Sequence, residues 1–71
     1  MVKMNPVESS SVHKVGYDVE GANLHVIFKT SPARYVYHGV PADEHAELMA
    51  SPSKGAFINT RIKPNYPFSI E

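Results

Sequence analysis

Four histidines, His13, His25, His38 and His45, are the residues of this chain best suited to metal or proton chemistry, and there is no cysteine to join them. Zinc sites draw on ligands spaced to share one side of an element, as in H-x-x-x-H, and no two of these histidines stand at such a spacing. The pattern argues against a metal site. His25 and His38 are expected on the solvent-facing side of adjacent strands, where a cross-strand polar pair accounts for them. An acid–base set would have to combine His13 or His45 with Asp18 or Glu44, and nothing in the order of residues brings these together. The chain also lacks a phosphate-binding glycine loop, a dinucleotide fingerprint and a nucleophile elbow. A core this small leaves little room for a closed, water-excluding pocket. The sequence therefore predicts a protein that binds rather than catalyses, with no cofactor and no metal.

Two other groups of residues can make contacts. Tyr35 and Tyr37 share one face of an alternating segment, and two aromatic rings so placed can stack on bases or anchor a peptide. The alternative is that they are core, because Tyr17, Leu24, Val26 and Phe28 already define an inner face that must be covered. Lys54, Arg61 and Lys63 are three of the seven basic residues and fall in one short segment with Asn59. They form either a patch for phosphate or carboxylate or an ordinary solvated surface.

The elements that would position these residues follow from the spacing. Residues 1–8, with Pro6 and Glu8 leading into Ser9, Ser10 and Ser11, read as a flexible lead-in, and residues 9–71 as a single domain. Val15, Tyr17 and Val19 alternate with polar residues, and after Glu20-Gly21-Ala22-Asn23 so do Leu24, Val26 and Phe28, which gives two strands joined as a hairpin. Past Thr30-Ser31-Pro32, Tyr35 and Tyr37 oppose Arg34, Val36 and His38 on a third strand. Pro41 suits a first helical position, with Asp43 and Glu44 in the first turn, so a helix runs from there to Ser51-Pro52. Ala46, Leu48 and Met49 are placed toward the sheet. Ser53 can cap a second helix reaching Ile62 before Pro64, with a strand as the competing reading. The aromatic tail Asn65-Tyr66-Pro67-Phe68 is expected to fold back over the core. The fold class is thus α+β, a three-stranded antiparallel meander followed by one or two short helices packed on one face.

Composition sets the outer limits. Seventy-one residues, 42% of them hydrophobic and 20% charged, suit one domain with one core. Without cysteine, only good packing or self-association can reinforce it, so a monomer or a weak homodimer is expected. No apolar run has the length of a membrane span and the start carries no secretory pattern, which gives a cytoplasmic expectation with no membrane partner. Seven basic residues balance seven acidic ones, leaving only local charge for nucleic acid.

The Ser-rich start, Val15-Gly16-Tyr17-Asp18, Tyr35-x-Tyr37, Val40-Pro41 and Ser53-x-Gly55-x-Phe57-Ile58-Asn59-x-x-Ile62-x-x-x-Tyr66-Pro67 together resemble the KTSC domain, named for the C-terminal extension of some lysyl-tRNA synthetases. The resemblance runs from about Ser9 to Pro67. It implies a small domain, also found free-standing in bacteria and phage, that has no established activity and whose synthetase link suggests RNA. The positions it marks as most constrained are Gly16, Tyr17, Tyr35, Tyr37, Ser53, Gly55, Asn59, Ile62 and Tyr66. The chain departs from it at His45, where another aromatic is usual, and at Ala56-Phe57-Ile58, where two aromatics often stand together.

Two functions follow as expectations. The first is an RNA- or tRNA-binding module in which Lys54, Arg61 and Lys63 meet phosphate, Ser53 and Asn59 add hydrogen bonds, and Tyr35 or Tyr37 stacks on a base. The second is a protein-interaction adaptor or inhibitor that uses an exposed sheet edge or the aromatic tail.

Overall fold

The computed structural model describes residues 2–71. Five strands, β1 (Asn5–Pro6), β2 (Val12–Asp18), β3 (Asn23–Phe28), β4 (Arg34–His38) and β5 (Phe68–Ile70), form one antiparallel sheet in sequential order. Helices α1 (Ala42–Ala50) and α2 (Lys54–Phe57) and a π-helix (Ile58–Ile62) intervene between β4 and β5. The α+β class agrees with the sequence, but the sheet has five strands where three were expected. Strands of two and three residues carry no alternation that a period-2 reading can detect. In the expected lead-in, Asn5 and Pro6 lie opposite Val15 and Lys14, and Val7 donates its N–H to the His13 carbonyl at 3.2 Å.

The inner face carries Val12, Val15, Leu24, Val26 and Tyr37, all fully buried against Val40, Leu48, Ile58 and Ile62 from the helical layer. Val12 and Val15 both reach this face despite their odd spacing because the register shifts between Val12 and Lys14, a bulge that absorbs the extra residue. Val19, expected inside, is 73% exposed, since β2 has already given way to the turn. At the end of β4 the chain reverses through Gly39 at φ +77°, open space where only the backbone demands glycine.

Pro41 takes the position just before α1, and its carbonyl accepts the N–H groups of Glu44 and His45. The helix stops at Ser51, whose extended backbone is what Pro52 requires. Leu48 enters the core, whereas Ala46 and Met49 are exposed, contrary to the expectation that both face the sheet. His45 turns inward in their place. The segment from Ser53 is helical rather than a strand. It widens into a π turn, closed by the Lys63 N–H on the Ile58 carbonyl at 2.8 Å, and ends in turn structure at Pro64.

The outer face holds a row running Gly16, His25, Val36 and Ser69 across four strands. His25, expected in solvent, is 7% exposed, and its Nδ1 has no hydrogen-bond partner among the described residues. Residues 2–4 are packed against this face beside it. A Cβ on Gly16 would stand 2.6 Å from Met4 Sδ, 2.8 Å from the Lys3 carbonyl oxygen and 2.9 Å from Val2 Cγ1. His25 and His38 do not pair. His38 instead joins three strands through Asn23 Oδ1 at 3.0 Å and Ser69 Oγ at 2.9 Å.

Candidate interaction surface

The basic residues singled out by the sequence are each already engaged. Arg61 bonds Glu44 at 2.8 Å and approaches Glu47 at 3.5 Å, and its guanidinium lies 4.8 Å from the centre of the Phe57 ring. Lys54 donates to the Ser51 carbonyl at 3.0 Å. Lys63 places its ammonium 5.1 Å above the Phe28 ring. The three cations are each engaged by different partners. The Glu44 side chain is only 12% exposed, so the Arg61 pair is partly shielded from water and links α1 to the π-helix. Burial, then the Glu44 and Asp43 carboxylates, push the Tyr66 phenol pKa up against an opposing pull from Arg61, which places Tyr66 in the same neighbourhood.

Ser53 and Asn59 are exposed. Ser53 stands at the N-cap of α2 without a side-chain cap bond. Its backbone N–H instead donates to Ser51 Oγ at 3.2 Å. Tyr37 is 1% exposed and belongs to the core, with its phenol pKa raised by burial, so its ring offers no stacking face. Tyr35 is half-buried, edge-on to Phe28 at 5.5 Å and tilted against Phe68 at 5.6 Å. The aromatic tail is in part a strand: Tyr66 packs on the core, as expected, while Phe68 is 53% and Ile70 58% exposed.

That exposure sits on the outer edge of β5, which the sequence reading named only as a tail. The His38 N–H donates to the Pro67 carbonyl at 2.9 Å, and the Glu71 N–H donates to the Arg34 carbonyl at 2.8 Å. Hydrogen-bonded positions alternate along an antiparallel pair. Residues 67, 69 and 71 therefore turn their backbone groups to β4, and Phe68 and Ile70 turn theirs outward. Their side chains share the face of Tyr35 and Tyr37, the residues they oppose in register. The result is a short edge with free N–H and C=O groups flanked by an aromatic and aliphatic row, Phe28, Tyr35, Phe68 and Ile70. In sequence it shows only as the β-favouring composition of Phe68-Ser69-Ile70, too short to display a period.

No group of three or more His, Cys, Asp or Glu among the described residues is placed to hold a metal ion. None of the described helices is long and apolar enough to cross a membrane.

A sequential antiparallel sheet with its helices inserted before the last strand defines a small α+β domain. Within that class the chain belongs to the KTSC domain family, whose model matches residues 8–66. It is 40% identical over 63 residues to a protein of Tsukamurella paurometabola whose name states no activity, covering 89% of this chain and 92% of that one. It is also similar to the crystal structure of a KTSC domain protein from Yersinia pestis, with a TM-score of 0.91 and 32% identity over 97% of this chain and 96% of the other.

Proposed function

We propose that this chain is a non-enzymatic, cytoplasmic protein-interaction module that docks an extended polypeptide segment along the outer edge of β5. One observation carries the reading: Phe68 and Ile70 turn unpaired backbone groups outward on an apolar strand that is more than half exposed. Strand addition draws affinity from such main-chain groups and specificity from alternate side chains. Exposed edges are usually blunted by proline, charge, a covering element or extreme shortness; β5 is three residues long, but it carries no proline or charge and no element among the described residues covers it. A net charge of zero suits a protein partner, because phosphate contacts supply most non-specific nucleic-acid affinity.

The RNA reading, which the resemblance to the C-terminal extension of some lysyl-tRNA synthetases would imply, would rest on Lys54, Arg61, Lys63, Ser53, Asn59 and Tyr35. Its cations would first have to leave Ser51, Glu44 and Phe28, which is why the protein reading is preferred. Both are tested by titrating isotope-labelled protein, first with a short peptide of alternating valine and threonine and then with single-stranded RNA and tRNA. Peptide shifts centred on the Phe68 and Ile70 amides, lost in Ile70→Pro, support docking at β5. Shifts from RNA centred on Arg61 and Lys63, with none from the peptide, overturn it.

A further inference from the structure

The two edges of the sheet are unlike. At one, β1 is two residues long and contains Pro6, which has no N–H to offer a further strand. At the other, β5 presents Phe68 and Ile70 without a blocking residue. A chain with two open edges can polymerise, whereas a chain with a single open edge can only close on one neighbour.

Resting on the reading of β5 as a docking edge, we infer that the segment it docks is β5 of a second copy, giving a twofold-symmetric dimer with one continuous sheet. The register makes the edge complementary to itself. Antiparallel pairing about Ser69 sets Phe68 opposite Ile70 of the second copy and Ile70 opposite its Phe68, so every outward N–H meets an outward C=O. In that register Ser69 faces Ser69, Glu71 falls opposite Pro67, and no like charges stand directly across from each other. The zero net charge leaves no overall repulsion between copies. Phe68 and Ile70 lie on the helix-bearing face in both copies, so the exposed apolar side chains of each are covered by those of the other. A small core without disulfides gains reinforcement in the same step.

Sedimentation equilibrium from micromolar to millimolar protein reads the association, and isotope-filtered spectra of a mixed labelled and unlabelled sample read the register. The expected result is a doubling of mass with rising concentration, together with a cross-chain signal between Phe68 of one copy and Ile70 of the other. Ile70→Pro, which removes an outward-facing N–H and the isoleucine side chain while leaving the bonds of Pro67 and Glu71 to β4 in place, and Phe68→Lys should each hold the mass at that of the monomer. A wild-type mass that never rises, or a dimer that survives both substitutions, overturns the inference. A monomer whose Phe68 and Ile70 amides still respond to the valine–threonine peptide refutes the second copy as occupant and leaves the docking edge standing. A monomer that ignores the peptide refutes both.

Discussion

The rings of Tyr17 and His45 lie parallel, their centroids 4.6 Å apart with 7° between the planes, and so fasten the end of β2 to the first turn of α1. Tyr17 adds a second tie by donating its hydroxyl to the Val40 carbonyl. This contact explains why an imidazole occupies a place where relatives are expected to carry another aromatic: the position asks for a flat ring.

Replacing His45 with Ala should therefore destabilise the fold by about 0.5–1.5 kcal/mol beyond the loss of its buried area, a typical worth for an aromatic pair. His45→Phe should retain most of the wild-type stability. Urea unfolding of the three proteins checks the order, and equal losses in Ala and Phe variants would show that the stack contributes nothing.

Acid should weaken the protein through two histidines. Burial, then the Arg34 guanidinium, lower the His25 pKa, with Glu71 and Asp18 pulling the other way, and burial lowers that of His45. Both groups bind protons more readily unfolded than folded. Their contribution to stability is complete above the ordinary histidine value of 6.5 and is lost as pH falls below it toward the folded values. Urea midpoints should be level from about pH 8 to about pH 7 and decline toward about pH 5. In spectra, the ring protons of His25 and His45 should titrate below those of a model histidine, and midpoints at or above that value would refute the account.

Gly16→Ala tests whether the N-terminal residues are part of the fold. The new methyl group would meet the Lys3 backbone, which cannot rotate away as the Met4 side chain can. The expected cost is about 1–3 kcal/mol, in the range of overpacking, with the segment before β2 displaced. Amide exchange should accelerate at Val7, which bonds His13, while Leu24 and Val26 in β3 stay protected. Unchanged exchange at Val7 would mean that the segment does not depend on the bare α-carbon of Gly16.

The central meander and both helix boundaries were legible because their signals are local and repeated. Leu24, Val26 and Phe28 keep a strict alternation, and Pro41, Pro52 and Pro64 punctuate the helical stretch wherever it turns. The edge strands were not legible, since Asn5–Pro6 and Phe68–Ile70 are defined by their neighbours across the sheet rather than by any period of their own. His25 was assigned the correct face, yet solvent was inferred where Gly16 and residues 2–4 enclose that face. For the surface, residue type pointed to Arg61 and Lys54 as free cations, and only three dimensions brought Glu44 and the Ser51 carbonyl to them. The tail's aromatic content was plain in sequence, but which of its backbone groups stay unpaired depends on the register with β4.

The π turn at Ile58–Ile62 works as a phase shifter in the winding of the chain. Such a turn takes one residue more than an α-helical turn for the same hydrogen-bond closure, so everything after it is rotated relative to everything before. Deleting a single residue there would let the winding relax to the commoner pitch and would move Tyr66 and β5 around the axis together. The orientation of the last strand thus depends on keeping that extra residue in place.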